Sequence, residues 1–354
     1  MSRQLSTPTP GGASLPEPRG PVSSTVVDLL ATPPARGRQH LRRGRRFAIE
    51  ADPFGEDLTL ALHLCYELHY HGFTGVAEEW EWSPDLLRLR ALLEHRFATA
   101  LHDLVDTPGD PVETVASALA DLLVDRLPVD DVASHLKSAG EWWQAKELFV
   151  HRSIYHLKEG DPHAWVIPRL QGRAKAALVA VEFDEYGGGD PRRAHAHLFA
   201  ELLDAAGLED GYLHYLHDVP APAIATVNLM SMFGLHRALR GALVGHLATA
   251  EITTGPSAKR MVGALRAMGA PEPCVRFYTE HIEADAVHEQ LMRHDVVGDL
   301  LDREPWLAAD VAFGIQATNL LEGRLTDHLL SSWRAGRSSL RRTPAVDDRT
   351  ERPA

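Results

Sequence analysis

Residues 274–292, CVRFYTEHIEADAVHEQLM, limit most sharply what this chain can fold into. At helical spacing one face carries Cys274, Phe277, Tyr278, His281, Asp285, His288, Leu291 and Met292. Residues three and four apart lie one above another on a helix. The stripe is apolar at both ends and so predicts a buried face, yet His, Asp and His interrupt it and point the same way. Burying such a group unpaired costs about 1–3 kcal/mol. A metal ion would satisfy all three at once. The alternative for this stretch by itself is a solvated face that carries histidines by chance.

Helical periodicity extends through most of the chain. DLTLALHLCYELHYHGF puts Leu58, Ala61, Leu62, Cys65, Leu68 and His69 on one face. Ser83 or Asp85 with Pro84 opens a further helix, and residues 111–137, 139–158, 219–254 and 256–269 read as others. Period-2 runs and clusters of β-branched residues are scarce. The expected fold is all-α, a multi-helix bundle of about nine to eleven helices in one domain over 47–333. Residues 1–46, with seven prolines, read as a disordered Pro/Arg-rich tail, and 334–354 as a disordered Arg-rich tail. Glu67 and His71, four apart, suggest a pair within the core. Glu147, His151 and His156 scatter around their helix and read as surface residues.

Composition narrows the class. With 354 residues, 44% of them hydrophobic, the chain can bury a sizeable core. Two cysteines without a CxxC pair argue against a disulfide framework and a thiolate metal site, and fit a reducing compartment. No run of 18 apolar residues predicts a membrane span, and the expected location is the cytoplasm. The net charge of −13 is uneven: both Arg-rich ends are positive and the body between them is strongly acidic. An acidic body argues against nucleic-acid binding by the folded part.

Further acids and imidazoles fall on apolar faces. AKAALVAVEFDE lines up Leu178, Val181, Glu182 and Glu185, then Gly187–Gly189 interrupt the helix. Asp190 and Pro191 restart a helix whose buried face is His195, Phe199 and Leu202. In 219–254 the stripe Leu243, Val244 and Leu247 ends on Glu251, where the helix dipole disfavours a negative charge and a nearby cation would explain it. The six candidates are Glu185, His195, Glu251, His281, Asp285 and His288. Three imidazoles and three carboxylates suit iron or manganese better than a structural zinc. Six such groups on separate helices are what a two-metal site inside a bundle requires. Neither ExxH nor HExxH occurs, so ferritin-type and zincin sites are unsupported.

In these positions the chain resembles the haem-oxygenase-like di-iron oxidases and oxygenases, the iron-containing redox enzyme family. That family's pattern is a Glu followed ten residues on by a His, a Glu some thirty residues before the last motif, and His-x3-Asp-x2-His. Here these are Glu185 with His195, Glu251 thirty before His281, and His281, Asp285 and His288. The resemblance covers about residues 55–333 and implies a haem-oxygenase-like bundle with two irons. One iron would take Glu185, His281 and Asp285; the other His195 and His288, with Glu251 bridging or shared. Some members add a Glu upstream, and Glu159 stands at that distance, although in a connector.

The implied activity is a non-haem di-iron oxidase or oxygenase that uses O2 as co-substrate to oxidise a small organic molecule. N-oxygenation, oxidative C–C cleavage and desaturation all belong to that class. Phe199, Met230, Phe233 and Tyr278 are the candidate pocket residues. The expected partners are the small-molecule substrate, an external electron donor and a second copy in a homodimer, with no nucleic acid and no membrane. Two rival readings keep the helices: a haem-binding or metal-independent relative with His63 or His69 as axial ligand, and a non-catalytic interaction or metal-storage module.

Overall fold

The computed structural model describes residues 12–34, 38–105, 109–124 and 130–342, and for residues 38–43 and 283–286 the backbone alone. Among the described residues there are fifteen α-helices and no strand beyond one isolated bridge between Ala13 and Phe73. The first four are α1 (Pro21–Leu30), α2 (Arg38–Glu50), α3 (Glu56–Glu67) and α4 (Pro84–Leu104). Next come α5 (Pro111–Leu122), α6 (Val132–Ala139), α7 (Trp142–His156) and the single turn α8 (Asp161–Ala164). The site helices follow: α9 (Gly172–Glu185), α10 (His195–Ala205), α11 (Ala221–Leu235), α12 (Arg240–Ala267) and α13 (Glu272–Gln290). The short α14 (Asp299–Arg303) and the long α15 (Ala308–Arg334) complete the bundle. The all-α class is therefore observed, with more helices than the nine to eleven expected.

The surplus has physical causes. Residues 1–46 were expected to be disordered, but in the described part α1 inserts Val22, Val26, Leu29 and Leu30 into the core. Those positions follow the i, i+4, i+7, i+8 spacing of an amphipathic helix, which the prolines around it obscure. Asp57 holds the start of α1 by accepting from the Val22 and Ser23 amides at 2.9 and 2.7 Å and from the Ser23 hydroxyl at 2.6 Å. The expectation of a disordered tail from 334 also fails as far as residue 342. Ser339 is buried against Glu147 and His151, and Arg341 pairs with Glu56 at 3.0 Å. Residues 1–11 and 343–354 lie outside the described part. No described helix is long and apolar enough to cross a membrane.

Within the body, the helix expected over 219–254 is two, because the chain turns at Arg237–Leu239. Its second half instead runs on through Pro256, so the separate helix expected from 256 is the end of the 28-residue α12. An internal proline sacrifices one backbone hydrogen bond, at a cost of about 3 kcal/mol. Burial of Ile252, Ala258, Met261 and Leu265 on both sides of it offsets that loss. Helices α12 and α15 cross backbone to backbone. A Cβ on Gly245 would overlap the Val311 carbonyl, and one on Gly314 would overlap that of Ala242. After α13 the chain continues as a π-helical stretch, Leu291–Gly298, which buries Met292, Val296 and Val297.

Candidate metal centre

Four helices and one turn bring the polar groups together. Glu159 sits in the turn after α7, Glu185 ends α9, His195 begins α10, Glu251 lies on α12, and His281 and His288 lie two turns apart on α13. All six are buried. The glycines between Glu185 and His195 make their approach possible. Gly187, Gly188 and Gly189 all have positive φ, and a Cβ on Gly187 would come within 2.5 Å of the Ala194 amide nitrogen. The chain doubles back there, and His195 Nδ1 ends 2.9 Å from Glu185 Oε2. The helix restarts at His195 itself, later than Asp190 and Pro191 suggested.

The ligand atoms form two groups. Glu159, His195 and His281 offer atoms that all lie within 4.8 Å of one another, and so do Glu185, Glu251 and His288. The two sets adjoin through the His195–Glu185 approach and through the rings of His195 and His281, 4.4 Å apart. This changes the expected partition, in which Glu185 went with His281, and His195 with His288. Two turns of α13 separate His281 from His288 by about 10 Å. Helix α10 therefore meets the first histidine, while the end of α9 and the middle of α12 meet the second. The side chain of Asp285 lies outside the described residues.

Hydrogen bonds fix the imidazoles. His281 Nδ1 donates to the Phe277 carbonyl at 2.8 Å, so in the neutral ring Nε2 carries the lone pair, 3.8 Å from Glu159 Oε1. A backbone carbonyl that takes the other ring N–H is the usual support for a metal-ligating histidine. His288 bridges Glu251 at 3.0 Å and Asp184 at 3.1 Å. Burial opposes its protonation, but the Glu251 and Asp184 carboxylates win and hold the imidazolium up to about 9. Burial would raise Glu159 too, yet His156 and His281 keep it well below the usual carboxylate range. Glu251 is pushed up, first by burial and then by Glu185.

The site fits a cation. Glu159 Oε2 is buried without a hydrogen-bond partner, and His195 Nδ1, although close to Glu185, has no hydrogen-bond geometry toward it. Atoms that converge without bonding to one another are the ones an ion would draw in. The donor set of imidazoles and carboxylates, with no thiolate, suits iron or manganese. Both cysteines are buried and free; Cys65 sits on α3 and Cys274 on α13.

Several side chains take a larger part than the sequence suggested. Glu159 looked peripheral because it lies in a connector, yet Gly160 with φ 91° turns the chain so that it faces inward. His156 was expected at the surface, but its Nδ1 lies 2.7 Å from Glu159 Oε1 and its ring packs on Phe199 and Phe277. The three-residue spacing of His156 and Glu159 was the available signal. Glu182 is buried with neither oxygen bonded, and burial plus the charges of Glu185 and Glu251 push it up to about 9. Its place in line with Glu185 was visible in the sequence. Glu147 and His151, also expected at the surface, are buried where they clasp Trp333 and Ser339. Glu67 pairs with Lys158 at 2.8 Å and accepts from Tyr212 at 2.7 Å; its bond with His71 is a 3.4 Å contact from the backbone amide.

A cavity of about 870 Å³ opens from the cluster. Glu159, Glu185, Glu251 and His281 line it, together with the paired Arg152 and Glu322 and the apolar Leu122, Val132 and Met261. Met230 and Tyr278 line it. Phe199 packs instead behind the site on Phe277, and Phe233 packs on Phe313.

A profile of the family described as iron-containing redox enzymes matches residues 146–323. All six clustered residues fall inside that span. Over 220 residues, 61% of this chain, the sequence is 26% identical to a nitrosourea synthase of Streptomyces achromogenes subsp. streptozoticus, of whose length the match covers 46%.

Proposed function

Because the chain belongs to the iron-containing redox enzyme family, we propose that it is a non-haem di-iron oxidoreductase that uses O2 to oxidise a small organic molecule in the 870 Å³ cavity. One observation carries this reading: two adjoining groups of three buried ligand atoms open onto a single cavity. Glu159, His195 and His281 would hold one ion; Glu185, Glu251 and His288 would hold the other. Asp285, between the two histidines on α13, is a further ligand candidate. Bound iron would supply the redox electrons and the place where O2 reacts.

The protein's own share is geometric and electrostatic. Helical backbone fixes the spacing of His281 and His288. The Phe277 carbonyl orients the first ring, and His156 orients Glu159. Phe199, Phe277 and the aliphatic core behind the cluster exclude water from it. Glu182, protonated at neutral pH, adds no charge to a site already rich in carboxylates. Electrons beyond those of the substrate would come from an external donor. The similarity to a nitrosourea synthase favours nitrogen as the atom oxidised.

The test is O2 reactivity. Protein loaded with Fe(II) without air, then mixed with O2, should consume O2 and show a transient long-wavelength absorption. Glu185→Ala should abolish both. Full activity in an iron-free preparation would sink the proposal.

A further inference from the structure

Arg152 on α7 and Glu322 on α15 place an ion pair in the cavity wall, and none of the roles above uses it. Arg152 Nη1 and Nη2 donate to Glu322 Oε1 and Oε2 at 2.9 and 2.6 Å. Both residues line the cavity, and their side chains keep 30% and 34% of their surface accessible. Burial is nonetheless the largest influence on each charge, so the surface they keep faces the enclosed cavity. Each partner outweighs that burial: Arg152 is held above its ordinary value and Glu322 below, and both stay charged.

The pair has unused bonding capacity. A guanidinium has five N–H groups, and a carboxylate oxygen that accepts one bond keeps a second lone pair. Arg152 Nε makes no hydrogen bond among the described residues and, unlike Nε of Arg90, Arg96 and Arg260, is not sealed off. A buried ion pair contributes little to stability, since apolar residues of similar volume do as well or better. Its place on a reachable wall is better explained by what it binds.

We propose that the Arg152–Glu322 pair docks the head group of a zwitterionic substrate, a molecule with a carboxylate and an ammonium on neighbouring atoms. The inference rests on the cavity being the substrate cavity of the proposed oxidoreductase. The carboxylate would take the free N–H groups of Arg152, and the ammonium would donate to Glu322. The pair is neutral, so a ligand with a single charge leaves that charge uncompensated away from water, whereas a zwitterion adds none. Arg152 lies one turn before His156 on α7, a rise of about 6 Å on the same face. His156 in turn holds Glu159 at 2.7 Å and also helps to keep Glu322 low. A head group anchored there leaves the rest of a small molecule to reach the metal centre, so the atom oxidised lies on the side chain and not on the head ammonium.

Equilibrium dialysis of radiolabelled L-norleucine against the full-length protein, loaded with Fe(II) without air, tests this. Hexanoate and n-pentylamine are the competitors: the first lacks the ammonium and the second the carboxylate. Norleucine should bind saturably, and each competitor should act about tenfold or more weakly than unlabelled norleucine. Arg152→Met with Glu322→Leu should lose norleucine by a similar factor while thermal unfolding and iron content stay at the parent's values. Glu322→Gln leaves the guanidinium uncompensated and should invert the preference, so that hexanoate binds more tightly than norleucine. No saturable norleucine binding, competitors as strong as norleucine, or an unchanged preference in Glu322→Gln overturns the proposal. Norleucine binding is read whether or not iron is retained, and iron and O2 uptake are measured on the same preparations. A parent with neither defeats the di-iron reading, whereas normal iron loading and O2 uptake without zwitterion preference defeats only this one.

Discussion

His288 in the metal-free protein holds a proton that a metal ion must displace. Burial alone would lower its pKa, but the Glu251 and Asp184 carboxylates raise it to about 9. Below that value the imidazole is protonated and unable to ligate, so metal binding releases a proton and strengthens as pH rises. For that one proton the apparent affinity should climb about tenfold per pH unit from 7 toward 9. Competition with a chelator at several pH values reads this directly, and a flat profile would mean that His288 does not ligate. His156 offers a second test at this scale. It holds Glu159 at 2.7 Å from outside the proposed ligand set, so His156→Ala should weaken metal affinity roughly 10- to 100-fold while the fold persists. The residues legible in the sequence were those on regular helices, where spacing fixes direction: Glu185, Glu251, His281 and His288. Glu159 entered only through the family resemblance, because a turn, unlike a helix, has no period from which a side chain's direction can be read.

At the level of elements, the reversal at Gly187–Gly189 is what couples α9 to α10. A methyl group on Gly187 would meet the Ala194 amide, and the residue already has φ 78°. Gly187→Ala should cost roughly 1–3 kcal/mol. It should also push His195 away from Glu185, so thermal unfolding and iron content should fall together. Loss of stability with iron content intact would show that α10 finds its place without this turn. The sequence marked the glycines as an interruption but not as a reversal, because three flexible residues permit many paths and packing selects one. Likewise Pro256 suggested a boundary that tertiary burial of α12 overrides.

Across the whole molecule, the two ends close on the same helix. Arg19 and Arg341 both pair with Glu56 at the start of α3, and Asp57 beside it holds α1. Removal of residues 1–34, which composition alone would recommend as trimming a tail, should expose the core under Val22, Val26 and Leu29 and lower the unfolding temperature. An unchanged melting curve would contradict the packing of α1. Fold class was readable because helical periodicity is a property of each segment by itself. The grouping of ligands was not, since it depends on which helix packs against which half of α13. The central claim is that this packing builds two adjoining ion sites, and counting iron tests it most directly. Protein loaded anaerobically with Fe(II) and freed of excess should retain two irons per chain. His281→Ala and Glu251→Ala, one from each group, should each retain one or fewer. A parent that retains none or one, or variants that both still retain two, would contradict the account.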